Sequence, residues 1–536
     1  MSDYDFVIVG SGFGGSAAGL RLVEKGYRVL MLEKGREFSA ADLPKTNWNL
    51  RRWMWLPLLG LRGIFQLTIF RHMTVMSGVG VGGGSLTYGA ALPTPPRAFF
   101  EAGNWQGLAD WPTELAPHYA TVRRMLGVTP AQFAGEFDQA LAEVARRRGE
   151  SDKFEPNDVG IYFGTPGKRV SDPFFGGDGP DRSGCIGCGG CMLGCPYNAK
   201  NTLDRNYLYL ARARGLALES ETEVTAVRAL EGGGYRVEAR QGRGLRRRAR
   251  TVTARNVVLA AGVLGTVRLL LRMRADPRGL PRLSEHVGRH VRTNSESFIG
   301  VVSRKRNADM SSGVAIGSIY HCAPNEHVQP VRYRSGSGFF RLLMFPHVPG
   351  LHAVERLARL LTIFVLHPLQ ILRAFTAWNM ARKMAILMYM RTEEGTLRFE
   401  TAWHGGLTTR REEGSPPVAS FPAATRLANE MCDVLDGFPM AFIQETLFNI
   451  PTTAHVLGGA VMGRDIGSGV IDAEQRVFGY EGLFVMDGSA VSSNPGVNPS
   501  LTITAMAERA VARIPAQGAV APRPAAAAVE AASLSG

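Results

Sequence analysis

Cysteine is scarce, with six in 536 residues, too few for disulfides to hold a chain of this length together. No apolar run approaches the ~20 residues of a membrane-crossing helix. The best candidate, 360–372, has 13 residues and contains His367, Pro368 and Gln370. The N-terminus, Met1-Ser-Asp-Tyr-Asp-Phe, has no basic stretch followed by an apolar one, so no signal peptide is read and a cytoplasmic protein is expected. Acid is in deficit, 47 Asp+Glu against 61 Lys+Arg, a formal charge of +14. Such a surface attracts anions without choosing among lipid, nucleic acid and cofactor. Arg246, Arg247, Arg248 and Arg250 lack interleaved aromatics and lie between two strand patterns, so they read as a solvated turn and no nucleic-acid partner is expected.

Glycine is plentiful instead, 63 residues without a Gly-X-Y period. The first cluster follows a buried-strand pattern, YDFVIV at 4–9. Gly10-Ser11-Gly12-Phe13-Gly14-Gly15 comes next, then a helical pattern and a second strand, RVLMLE, ending at Glu33. In such a βαβ unit Gly10 permits the tight turn, Gly12 lets backbone approach a pyrophosphate, and Gly15 lets helix and strand pack closely. The helix N-terminus attracts the phosphates. Glu33, 18 residues after Gly15, is placed to accept from a ribose 2′-hydroxyl, which favours FAD or NAD over NADP.

A second glycine-rich run, MSGVGVGGGSLTYGA at 76–90, alternates glycine with apolar residues and reads as a loop touching the cofactor. The stretch NVVLAAGVLGTVR at 256–268 is a further buried strand turning into a helix, expected to rejoin the first sheet. Strands are also read at 216–227 and 235–240. These patterns predict an α/β protein in which a Rossmann-type dinucleotide-binding domain is interleaved with an α+β substrate domain. The expected division is 1–45, 74–110, 200–285 and 450–515 for the cofactor domain, 286–449 for the substrate domain, 183–200 for a cysteine segment and 517–536 for a disordered Ala/Pro-rich tail. Two apolar segments with basic edges, 50–71 and 351–391, read as helices that either lie on a membrane surface or serve as core or lid elements.

Four of the six cysteines, Cys185, Cys188, Cys191 and Cys195, follow the spacing C-x2-C-x2-C-x3-C-P within GCIGCGGCMLGCPYNAK. This is the ferredoxin run, in which thiolates converge on one compact centre. A four-iron cluster, a three-iron cluster, a structural zinc or no metal are the alternatives; zinc usually takes paired C-x2-C knuckles farther apart. Cys322 and Cys432 stand alone and read as buried apolar side chains.

The segment from Thr452 to Arg509 places His455 in TTAHVLGG, Asp487-Gly488-Ser489 in a turn after a short strand, and Asn498-Pro499-Ser500 at the start of a helix, with Asn498 as its expected N-cap. With GSGFGG, GVGVGGGSL and AAGVLGT in order before HVLGG, MDGS and NPGVNPSLTITAMAER, the chain resembles the glucose–methanol–choline (GMC) oxidoreductases from Tyr4 to about Ile514. Within that family it looks most like the bacterial cholesterol oxidase type whose members carry a cysteine cluster. Some sugar dehydrogenases of the family hold an iron–sulfur cluster at a similar segment.

The resemblance implies FAD-dependent oxidation of an alcohol on a lipophilic substrate, a 3β-hydroxysterol first and a long-chain alcohol second. Gly10, Gly12 and Gly15 would bind the FAD pyrophosphate and Glu33 the adenosine ribose. Gly83, Gly84 and Ser85 would lie along the pyrophosphate and ribityl chain, Tyr88 and Gly89 beside flavin N5, Val224 at adenine, and Asp487 and Gly488 at the ribityl end. His455 and Asn498 would be the catalytic pair. Oxygen, a quinone or a redox protein would take the electrons. The sterol enzymes also use a substrate-domain glutamate; the matching stretch near Leu343 has no carboxylate, so Glu393 or Glu394 replaces it or double-bond isomerisation is absent. Two other readings stay open from the residues alone: an NAD-dependent dehydrogenase, and a non-catalytic iron–sulfur electron carrier at a membrane surface.

Overall fold

A computed structural model describes residues 2–350, 352–412 and 417–518. Two seven-stranded sheets organise it. The first is built on the parallel strands Ala217–Glu219, Val29–Leu32, Tyr4–Val9 and Arg248–Leu259. The last of these is the pivot. Its first half pairs antiparallel with Tyr235–Gln241, and its last three residues pair parallel with Leu483–Val485, so the C-terminal segment rejoins the sheet with this strand between it and Tyr4–Val9. Strands Val29–Leu32 and Leu483–Val485 are buried throughout, as expected where helices cover a parallel sheet. The stretch read as one strand at 216–227 is two, Ala217–Glu219 and Thr222–Ala229, at opposite ends of the sheet order. Glu221, at φ 53°, turns the chain between them.

Helices Phe13–Glu24 and Ser500–Ala512 pack together on this sheet. Glu508 joins them by accepting from Arg21 at 2.8 Å and from the Tyr207 hydroxyl at 2.7 Å. Arg243, Arg247 and Arg250, in and beside the turn at 242–247, pair with Glu221, Glu223 and Glu219. Residues 519–536 of the expected tail lie outside the described residues, while the Gln517 amide donates to the Lys25 carbonyl at 2.9 Å.

The second sheet is antiparallel, in the order Met344–Pro346, Gly437–Phe442, Ser297–Ser303, Met384–Arg391, Glu326–Val331, Ser318–Ala323 and Phe154–Pro156. It draws on residues outside 286–449, since Phe154–Pro156 forms its edge and helix Glu136–Arg147 joins Pro422–Leu435 on one face. Alternation sorts the two faces. Ala385, Leu387 and Tyr389 pack beneath those helices with Phe137, Leu141, Leu427 and Met431. Met384, Ile386, Met388 and Met390 face the other way, toward Phe65, Phe340 and Phe442.

Both basic-edged segments depart from the helical expectation. In 50–71 the helical pieces are short, Leu50–Trp53 and a 3-10 turn at Pro57–Leu59; Pro57, Gly60 and Gly63 break the pattern, and short strands follow, including Phe65–Ile69 against Thr74–Gly78. In 351–391 two helices, Ala353–Leu366 and Pro368–Thr376, meet at 89°, because Pro368 cannot continue the first. Residues 384–391 are a central strand, not a surface element. Among the described residues no single helix is long and apolar enough to cross a membrane.

Candidate active site

The two glycine loops meet backbone to backbone. A Cβ on Gly83 would stand 2.7 Å from the Gly12 Cα. Ser11 fastens them: the Gly82 amide donates to its hydroxyl at 3.1 Å, and that hydroxyl donates to Glu33 at 2.8 Å. Glu33 also accepts from the Ser11 and Gly35 amides, so its buried carboxylate organises the loop. Ser85 is likewise committed, donating to the Gly82 carbonyl at 2.7 Å and accepting from the Leu203 amide at 3.0 Å. The close helix–strand approach rests on two glycines. A Cβ on Gly15 would lie 2.2 Å from the Gly10 carbonyl, and one on Gly14 would lie 1.8 Å from that of Met486. A Cβ on Gly12 would meet nothing within 4 Å. Gly12 therefore opens onto free space at a helix N-terminus, which fits a dinucleotide pyrophosphate.

That space is the end of a cavity of about 280 Å³ lined by Gly12, Gly84, Tyr88, Gly89, Asp487, Gly488, His455 and Asn498. Gly10, Gly15, Glu33, Gly83 and Ser85 stand behind the lining as loop geometry, and Val224 lies apart from it at a bulge in its strand. Asp487 accepts from the Ser489 amide at 2.8 Å and from the Thr266 hydroxyl, and burial raises its pKa. The far end of the cavity is apolar, walled by Phe65, Met76, Phe298, Val331, Phe340, Ile386, Met388 and Phe442. The cofactor loops and this chamber are thus one continuous space.

His455 and Asn498 stand between the two ends. Asn498 Nδ2 donates to His455 Nε2 at 3.3 Å, and its Oδ1 is buried without a partner. Asn498 is not the helix cap; Pro499 holds that position, leaving the asparagine side chain free to reach the histidine. On the other side of the ring Nδ1 pairs with Glu296, which is fully buried. Glu296 also accepts from the Ala454 amide at 2.9 Å. A carboxylate only accepts, so this pairing places the ring proton on Nδ1 and leaves the Nε2 lone pair toward the chamber.

Glu296 was not singled out from sequence. Its signal was a lone acid opening an apolar strand, in NSESFIGVV. Asn294 and Ser295 adopt φ of 61° and 48°, and this left-handed turn aims the glutamate at the histidine. Asn294 Nδ2 stands 3.3 Å from His455 Nδ1 and donates to the Val497 carbonyl at 3.0 Å. Glu445 is a second buried acid behind the pair. Desolvation pushes its pKa up to about 8, with the Glu296 charge adding to the rise.

Glu393 and Glu394 do not line the cavity. Glu394 pairs with Arg292 at 2.7 Å and accepts from the Asn494 amide at 2.9 Å, so it clamps the C-terminal loop. The Glu393 side chain pairs with Arg391. Neither replaces a substrate-facing glutamate.

The four cysteines line a second, much smaller cavity, of about 30 Å³. Among the described residues no three His, Cys, Asp or Glu side chains form a group able to hold a metal ion in the arrangement shown. Burial pushes the Cys185 thiol up to about 11 and Cys191 to about 12. The Gly187 amide donates to Cys185 Sγ at 3.4 Å, and backbone N–H groups of Gly190 and Ala315 face Cys188 and Cys191.

The segments 179–291 and 392–507 match the GMC oxidoreductase family, and 8–42 matches the NAD(P)-binding Rossmann-like domain. A cholesterol oxidase of Acinetobacter baumannii is 41% identical over 96% of this chain and 95% of its own. One from Mycobacterium tuberculosis is 42% identical over 97% and 93%. The chain belongs to the GMC oxidoreductase family. Its fold also resembles pyridoxine 4-oxidase from Mesorbium loti, with a TM-score of 0.62 at 16% identity, covering 95% of this chain and 99% of that one. The C-terminal family segment carries His455, Asp487, Gly488 and Asn498, which the fold brings to one cavity with Gly12.

Proposed function

We propose that this GMC oxidoreductase binds FAD and oxidises the hydroxyl of a lipophilic alcohol, a 3β-hydroxysterol, to the ketone. One observation carries the reading: a histidine held by a fully buried glutamate, with an adjacent asparagine, stands where a dinucleotide cradle opens into an apolar chamber. The alcohol carbon would lie in the chamber with its hydroxyl between His455 and Asn498. His455 Nε2 accepts the hydroxyl proton, which general-base catalysis values at ~10²–10⁴ in rate. Glu296 holds the ring orientation and stabilises the protonated imidazole. Asn498 fixes the substrate oxygen, and the apolar walls exclude water. FAD, when bound, supplies the hydride acceptor. The names of the two relatives support the sterol and make oxygen the first acceptor to test. A long-chain alcohol would use the same pair and the same chamber.

We also propose an iron–sulfur cluster on Cys185, Cys188, Cys191 and Cys195. The ferredoxin spacing supports it, and so do the backbone N–H groups aimed at three of the sulfurs. A neutral thiol gains little from such donors, whereas metal-bound thiolate is stabilised by them. The apolar face of the bent helix pair supports a peripheral membrane contact at which substrate is collected.

The deciding measurement is the visible spectrum of protein purified without oxygen, before and after cholesterol. Flavin bands that bleach on addition are expected. Bands that bleach only with long-chain alcohols would replace the sterol, and protein without flavin would overturn the reading.

A further inference from the structure

Two tyrosines line the large cavity, and they differ in what holds their hydroxyls. Tyr88, in the second glycine loop, donates to the Asn201 carbonyl at 2.6 Å. Buried tyrosines elsewhere are held likewise: Tyr207 donates to Glu508 at 2.7 Å, and Tyr235 to the Glu481 carbonyl at 2.6 Å. Tyr333 is different. Its ring packs against Phe340, with centroids 5.5 Å apart, and among the described residues its hydroxyl has no hydrogen-bond partner. Burial raises its pKa, so the phenol stays neutral and can both donate and accept. A tyrosine hydroxyl in an apolar wall ordinarily finds a partner, because leaving it dry is costly.

The sheet register gives its depth. Glu296, which holds His455, directly precedes Ser297, and Ser297 stands opposite Tyr389. Val331 stands opposite Ile386, three residues farther along the same strand, or ~10 Å at the rise of a β-strand. Tyr333 follows Val331 by two residues, so it belongs to the end of the chamber away from the catalytic pair. Around it the wall is aliphatic, aromatic and thioether, including Met192 and Met388. Methionine adapts to whatever shape enters, so shape alone discriminates weakly there. Among the described residues no Lys or Arg lines the cavity, so a carboxylate on the substrate would be buried unpaired.

Resting on the alcohol-oxidation reading above, we infer that Tyr333 is a specificity-determining residue whose hydroxyl bonds a second, uncharged oxygen at the far end of the substrate. The preferred class is then a sterol that already carries a hydroxyl or ketone on its side chain or ring D. Such a molecule is held at both ends, by His455 and Asn498 at the reacting hydroxyl and by Tyr333 at the other. A sterol without the second oxygen leaves the phenol unpaired.

The test compares kcat/KM of the flavin-loaded enzyme for three alcohols: cholesterol, a cholesterol hydroxylated on its side chain, and the diol in which a ring-D hydroxyl replaces the side chain. Wild type should prefer one of the two diols over cholesterol by roughly 3–10-fold, the worth of one hydrogen bond. Y333F should bring that ratio close to one while turning over cholesterol at least as well. S77A, which removes the hydroxyl beside Met76 in the same lining, is the control and should keep the preference. No preference in wild type, or the same preference in Y333F, would overturn the inference, as would a preference lost in S77A and kept in Y333F. If only long-chain alcohols bleach the flavin, the sterol reading falls by itself; the same comparison, between a simple long-chain alcohol and one with a second hydroxyl at its far end, then decides for or against Tyr333.

Discussion

The two ends of the large cavity are made in opposite ways. The cofactor end is made of backbone: glycines at 10, 14, 15 and 83 bring loop, helix and strand so close that side chains are excluded, and Gly12 opens onto the space they frame. The chamber end is made of side chains, methionine, isoleucine and phenylalanine alternating out of an antiparallel sheet. A backbone wall tolerates no added atom but says nothing of substrate. A side-chain wall tolerates substitution and sets what is bound. The largest expected effect follows at the first kind of wall. G14A places a methyl 1.8 Å from the Met486 carbonyl, a clash that no side chain can relieve. It should abolish soluble protein, the loss exceeding the ~1–3 kcal/mol of ordinary overpacking. G12A meets nothing and should fold with an unchanged Tm but bind FAD more weakly, because its methyl enters the open cradle. Equal folding of both variants would break the contrast.

The next effect belongs to the seam between the ends. H455A should retain flavin and lose ~10²–10⁴ in kcat on cholesterol. E296Q, which can still hydrogen-bond but cannot stabilise a cationic ring, should lose part of that range with little change in KM. Flavin-reduction kinetics in single turnover separate these losses from substrate binding. A wild-type rate in E296Q would remove the glutamate from the mechanism.

This contrast also decides how much was legible in the sequence. The cofactor end declares itself because a backbone wall requires glycine at fixed spacings, and Gly10, Gly12 and Gly15 meet that requirement within one βαβ unit. Gly14 escaped emphasis because its partner, Met486, lies more than 450 residues away in the chain. The chamber shows in sequence only as apolar alternation, which any buried sheet produces. Glu296 therefore looked like one acid among many, and only the fold sets it against His455. Residues 50–71 carry the composition of an interfacial helix, yet Pro57, Gly60 and Gly63 decide for strands. Local breakers outweighed amphipathic composition there, while in 353–376 the one breaker, Pro368, bends the helix pair and leaves both helices intact.

A smaller effect, on stability, tests the burial behind the catalytic pair. Glu445 holds its proton in the folded protein up to about pH 8, through desolvation first and the nearby Glu296 charge second. The unfolded chain releases that proton in the ordinary carboxyl range. Between those limits the native state binds more protons, so stability is full at the acidic end and falls as pH rises toward about 8. Denaturation in urea at pH 5 and pH 8 should show wild type losing a few kcal/mol across the window, and E445Q losing less. Parallel slopes for the two proteins would place the charge penalty elsewhere.

The smallest expected change in stability lies on the outer surface of the chamber wall. Ile371, Ala374 and Met380 are buried in the same cluster as the chamber residues Phe298, Phe340 and Met388. The opposite side of these helices leaves Val354, Leu357, Leu361, Val365, Leu366, Leu369 and Leu372 exposed, with Trp378 99% accessible just beyond. Glu355, the one acid in the pair, is already paired with Arg359 at 2.6 Å. Arg373 lies in the last turn of the second helix, and Arg382 and Lys383 follow closely, so the rim is basic. An apolar face of this kind gains nothing from water and fits the boundary between headgroup and acyl chain. The triple variant L357S/L361S/V365S should leave Tm nearly unchanged, since exposed substitutions act within about 0.5 kcal/mol. Each substitution removes about 1 kcal/mol of transfer energy at a bilayer, so together they should weaken co-sedimentation with anionic vesicles by roughly 100-fold. Turnover of sterol delivered in detergent should stay near wild type while turnover of sterol held in vesicles falls. If vesicle binding is unchanged, the outer side of this wall is only a cover, and the two ends of the cavity differ in construction without differing in access.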